Sequence, residues 1–83
     1  MKREYIAIYE QGEDGWIVAT VPEVHGAVSQ GRTMEEARFM IADAVRLLLL
    51  LRLEQAAREA SPDAIWETLT VEVDLDKYLE RGK

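Results

Sequence analysis

The chain has 83 residues and a formal net charge of -6, with a pI near 4.7. That length predicts a single small domain over residues 1–83, with its core in 5–73 and a short tail over 74–83. The acidic balance argues against a nucleic-acid footprint, which needs clustered lysine and arginine. The absence of cysteine excludes disulfides, thiolate-bound zinc and a cysteine nucleophile.

Met1-Lys2-Arg3-Glu4 is followed by no long apolar region, so no secretion signal is expected. The leucine run 47–51 is too short to span a membrane and is flanked by Arg46 and Arg52. A cytoplasmic protein is the expectation. A core of this size is marginal alone, which favours a partner surface.

Residues 5–10 read as a first strand, with Tyr5, Ala7 and Tyr9 on one face and Ile6 and Ile8 on the other. The loop 11–15 ends in Asp14-Gly15, a dipeptide suited to positive φ. A second strand follows, with Trp16, Val18 and Thr20 on one face and Ile17, Ala19 and Val21 on the other. Pro22 lacks an N–H for the ladder and should end it. Gly26 and Gly31 bracket a short third strand over 27–30.

Thr33-Met34-Glu35-Glu36 is a capping box. The Thr33 hydroxyl can accept from the Glu36 N–H, and the Glu36 carboxylate can reach back to the Thr33 N–H. Glu35 and Glu36 also favour the positive end of the helix dipole. The helix should run from Met34 to about Ala60, roughly 40 Å at 1.5 Å per residue. Ala37, Met40, Ile41, Ala44, Leu48 and Leu51 form the stripe assigned to the sheet. Phe39, Leu49, Leu50, Leu53 and Ala57 form a second stripe, interrupted by Arg46. Either the loop and strand after the helix cover this second stripe, or it is a subunit interface; the small sheet favours the interface.

Ser61-Pro62 should break the helix. Trp66 is expected as a packing anchor. Residues 67–73 read as a last strand, with Leu69, Val71 and Val73 inward and Thr68, Thr70 and Glu72 outward. Asp74 can cap a short turn carrying Leu75, Tyr78 and Leu79, and residues 80–83 should fray. The order β-β-β-α-β predicts an α+β fold: a three-stranded antiparallel meander, one long helix packed on one face, and a fourth strand beside the first.

No active site assembles from the residue types. His25 has only Glu23 near it in sequence, which favours an ordinary loop histidine. Ser29 lacks a neighbouring base and a nucleophile elbow. Glu10, Glu13 and Asp14 read as an exposed acidic turn rather than a cation site. The spacing from Gly26 to Gly31 is not a phosphate loop. No cofactor and no metal are expected.

Four motifs occur in order: Tyr-x-Ala-x-Tyr from Tyr5, Asp-Gly-Trp-x-Val from Asp14, Val-Pro-Glu from Val21, and Gly-x-x-x-Gln-Gly-x-Thr-x-Glu-Glu-Ala from Gly26. Together they resemble the HicB-like antitoxin family over residues 5–73, most densely over 15–37. The resemblance implies a partial ribonuclease-H-like β-β-β-α-β fold. It also implies a non-catalytic protein that binds and occludes a small basic, HicA-like toxin that cleaves messenger RNA. Family members often carry proline and cysteine about the loop glycine; here those positions are His25 and Ala27. Many also carry a C-terminal DNA-binding segment, which the residues after Val73 do not match, so no direct nucleic-acid contact is expected.

The expected toxin contacts lie around Tyr9, Trp16, Glu23 and His25, and the expected homo-oligomer, a dimer or tetramer, uses the second helix stripe. Two other readings stand beside this one. The first is an orphan oligomeric module that binds another protein. The second is a metal-dependent nuclease remnant using carboxylates such as Glu10, Glu35 and Asp74.

Overall fold

Positive φ at Asp14 (56°) and Gly15 (80°) reverses the chain after its first strand, as the Asp-Gly pair leads one to expect. The turn is closed by Gly12 N–H donating to the Trp16 carbonyl at 2.7 Å and Trp16 N–H donating to the Glu13 carbonyl at 3.1 Å. In the computed structural model of the chain, which describes residues 3–80, this turn joins β1 (Ile8–Gln11) to β2 (Ile17–Thr20). The third strand, β3 (Val28–Gly31), pairs with β2, and all pairing is antiparallel in the order β1-β2-β3. Ile8 faces Thr20, and Thr20 faces Val28 across the sheet. The architecture is α+β, three antiparallel strands and one long helix.

Between β2 and β3 the chain makes a tight double turn. Val24 N–H donates to the Val21 carbonyl at 3.1 Å and Ala27 N–H to the Val24 carbonyl at 3.0 Å. Gly26 takes φ 89° there. Val21, Val24 and Ala27 are buried as a result, which makes this loop part of the core rather than a surface link.

The helix α1 (Met34–Glu59) begins at the capping box. Glu36 N–H donates to the Thr33 hydroxyl at 3.0 Å. The return bond differs by one residue from the expected one: the Glu36 carboxylate accepts from the N–H of Arg32 at 3.1 Å, not from Thr33. At the other end Ala60 is already extended (φ -69°, ψ 148°), and Ser61 precedes a proline, which disfavours helical geometry. The Ser61 hydroxyl donates to the Asp63 carboxylate. That bond, and next a backbone hydrogen bond, hold the Asp63 carboxyl below its usual range.

The buried apolar side chains among the described residues are Ala19, Val21, Val24, Ala27, Ala37, Ile41 and Val45. Tyr5, Ala7, Tyr9, Ile17, Ala44, Leu48 and Leu49 pack around them. The helix lies on β3 and β2. Its approach is set by Gly31, where a Cβ would meet the backbone nitrogen of Ala37 at 2.5 Å. No real side chain tolerates that separation.

Three expectations need correction. Met40 and Leu51, assigned to the sheet face, are exposed. The strands are four residues long, about 13 Å. The helix of 26 residues is about 39 Å, so its second half overhangs the sheet. Residues 67–73 form no strand within the chain: Leu69, Val71 and Val73 are 85%, 67% and 66% exposed. This segment follows a turn closed by Ala64 N–H donating to the Ser61 carbonyl at 3.0 Å. Trp66 is exposed as well, rather than a packing anchor. The final turn does form: α2 (Asp76–Leu79) begins where the Asp74 carboxylate accepts from the Asp76 N–H at 3.1 Å. Residues 81–83, most of the end expected to fray, lie outside the described residues.

The contact at Gly31 is directly testable. Gly31→Ala should cost about 3 kcal/mol by forcing the helix off the sheet. Gly15→Ala meets no atom within 4 Å and should cost about 1 kcal/mol, from its positive φ alone. Urea unfolding of the two variants measures the difference, and equal losses would contradict the close approach.

Candidate interaction surface

Because α1 lies over β3 and β2, the inner face at the β1 margin is left uncovered. A groove of about 770 Å³ opens there. Tyr5, Ala7 and Tyr9 reach it from β1 and the residues before it, since alternate side chains share a face. Ile41, Val45, Leu49, Leu50 and Leu53 reach it from successive turns of the helix. Its rim carries Arg3, Arg38 and Arg46. Arg38 approaches the Tyr9 ring, with 6.0 Å between the guanidinium carbon and the ring centroid. Arg46 pairs with Asp43 on the helix surface at 3.3 Å. The groove is therefore apolar within and basic at its edge, in a chain of net charge -6.

The four residues expected to contact a toxin fall on different parts of the molecule. Tyr9 faces the groove. Trp16 lies at the opposite end of β2 from the Pro22 loop. The guanidinium of Arg32 stacks 4.0 Å from its ring centroid and donates to the Asp14 carbonyl at 3.3 Å. Glu23 reaches across from the loop after β2 and accepts the Ile6 N–H at 2.9 Å. The carbonyl of His25 accepts from the Arg52 guanidinium, which ties that loop to the helix.

The second helix stripe also divides. Leu49, Leu50 and Leu53 line the groove. Phe39 is exposed on another side, and Ala57 is exposed beyond the sheet. The groove thus brings together Tyr9 from one expected set and three leucines from the other.

Several contributors were not singled out by sequence reasoning. Val45 belongs to neither apolar stripe of the sequence, although it falls at the i+4 position from Ile41 and is buried. Arg38 and Arg52 have no motif around them, and an arginine among leucines signals a fixed partner only once the fold supplies one. Among the described residues no group of three or more histidine, aspartate or glutamate side chains could hold a metal ion. Glu10, Glu35 and Asp74 form no such group. No helix among these residues is long and apolar enough to cross a membrane.

No protein-family model matches the chain, and no solved structure matches it. The chain is similar to the UPF0150 protein ssl0738 of Synechocystis sp., at 41% identity over 71 residues covering 86% of this chain and 99% of that protein. It is also similar to the UPF0150 protein Ta0767 of Thermoplasma acidophilum, at 40% identity over 43 residues covering 52% of this chain and 62% of that protein. With this identity sustained along nearly the whole length of the cyanobacterial protein, the chain belongs to the UPF0150 family.

Proposed function

We propose that this chain is a HicB-like antitoxin domain, which binds a small basic, HicA-like toxin and blocks RNA cleavage by covering it, with no catalysis of its own. The observation that carries the reading is the ordered set of motifs from Tyr5 to Ala37, which make the Asp14-Gly15 turn, the Gly31 contact and the capping box. The meander followed by a long helix fits the first part of a partial ribonuclease-H-like fold.

The sheet face away from α1 is the surface best suited to such a partner. Ile8 and Val28 are exposed there, and the adjoining hairpin carries Glu10, Glu13 and Asp14, all exposed. Trp16 offers a half-buried ring at the hairpin end of that face, and Glu23 and His25 border its other end. Acidic groups around an aromatic and aliphatic centre complement a basic partner. The basic groove is of the wrong sign for that role.

A second reading keeps the fold and drops the toxin: an oligomeric module for another protein. It is favoured by the exposed leucines of α1, among them Leu47, Leu50, Leu51 and Leu53.

Co-expression with the product of a short basic reading frame next to this one in its host distinguishes the two readings. The antitoxin reading predicts that the two proteins copurify and that RNA cleavage by the neighbour stops. It also predicts that Glu10→Lys with Glu13→Lys weakens the complex at least about tenfold, with wild-type affinity falling as salt rises. A basic neighbour that cleaves RNA unchanged in the presence of this chain, and does not bind it, contradicts the antitoxin reading.

A further inference from the structure

We infer that the groove beside β1 is completed by residues 67–73 of a second copy of this chain, which add a fourth strand to the open edge of β1, the two copies exchanging tails. The inference does not depend on the toxin reading.

The first ground is an unfilled strand edge. The Ile6 N–H points toward β2, where the Glu23 carboxylate accepts it. Backbone groups alternate along an extended chain, so the N–H and C=O of Ala7 and Tyr9 point the other way, to the edge that no strand covers. An edge of this kind is a template for another strand.

The second ground is a match of pattern and charge. Leu69, Val71 and Val73 alternate with Thr70, Glu72 and Asp74. A strand laid along β1 would turn the first three into the apolar groove. Residues 67–76 include Glu67, Glu72, Asp74 and Asp76 and no lysine or arginine, while the groove rim carries Arg3, Arg38 and Arg46. Buried within the groove wall, the Tyr5 hydroxyl has no partner among the described residues. An incoming strand supplies carbonyl or hydroxyl acceptors for it.

The third ground selects a second copy over the chain's own tail. The radius of gyration is 15.6 Å, and the molecule extends 50 × 27 × 18 Å. A compact chain of this length has a radius of gyration of about 12 Å. The helix leaves the sheet, Ala60 is extended, and Pro62 restricts Ser61 to extended geometry. A turn closed by Ala64 N–H donating to the Ser61 carbonyl follows, and beyond it Leu69, Val71 and Val73 stay exposed instead of entering the chain's own groove. A two-fold exchange gives each copy one strand and takes one from it, so the assembly closes and no tail or β1 edge is left open.

The absence of cysteine gives a clean test. A mass-tagged copy carrying only Ala7→Cys is unfolded together with an untagged copy carrying only Val71→Cys. The mixture is refolded and treated with a short bis-maleimide. The exchange predicts a tagged–untagged cross-linked product. It also predicts that the unmodified protein has twice the 9.5 kDa mass of one chain by light scattering, and that Leu69→Asp with Val71→Asp halves that mass. Cross-linking confined to one chain in an Ala7→Cys/Val71→Cys double variant means that the tail returns to its own groove, and overturns the inference. A monomeric wild-type mass overturns it, as does an unchanged dimer mass in the double aspartate variant.

Discussion

The contact between Gly31 and the first turn of α1 governs the rest of the fold. With no side chain at Gly31, the Ala37 backbone comes to a distance that a Cβ could not survive. That approach seats the helix over β3 and β2 and buries Ala37, Ile41 and Val45 against Ala19 and Val21. It also decides what is left uncovered. Three strands of four residues cannot shield a helix of 26, so the β1 margin and the leucines of the distal helix stay open. A buried core that, among the described residues, includes three alanines and no large, fully buried side chain contributes modest hydrophobic stabilisation. Association is the direct way for such a chain to bury more apolar surface.

Charge divides the molecule into two surfaces with different prospects. The hairpin and outer sheet carry carboxylates around Trp16 and exposed Ile8 and Val28. The groove on the helix side is rimmed by arginines. A basic partner suits the first, and an acidic strand suits the second. The proposed functions occupy different faces, so a chain engaged with its own copy would keep its acidic face free. Two faces of the molecule are thus available for two tasks without competition for the same residues.

The local chemistry of the fold was legible because it depends on neighbours in sequence. The Asp14-Gly15 turn, the strand end near Pro22, the capping box and the break before Pro62 all follow from residue types within four positions of one another. The extent of each helix face was not legible. Met40 and Leu51 have the periodicity of buried residues, yet their exposure depends on the sheet's length, which no local pattern reports. The same holds for residues 67–73: alternation marks a strand with one apolar side but does not say which chain provides its neighbour. Tyr9 and Trp16 lie on different surfaces by register: Tyr9 pairs with Ala19 on the helix side, while Trp16 alternates with Val18 and Thr20 on the other face, and which strand positions pair is not written in either strand alone. The groove was half legible, through Leu49, Leu50 and Leu53, and its arginine rim was not.

Hydrogen exchange of the backbone amides of residues 67–73 tests the central claim, that this segment is a strand completed by association. The account predicts protection comparable with that of β1 at high protein concentration, lost on dilution as the copies separate. Exchange at the rate of an unfolded chain at every concentration would contradict it.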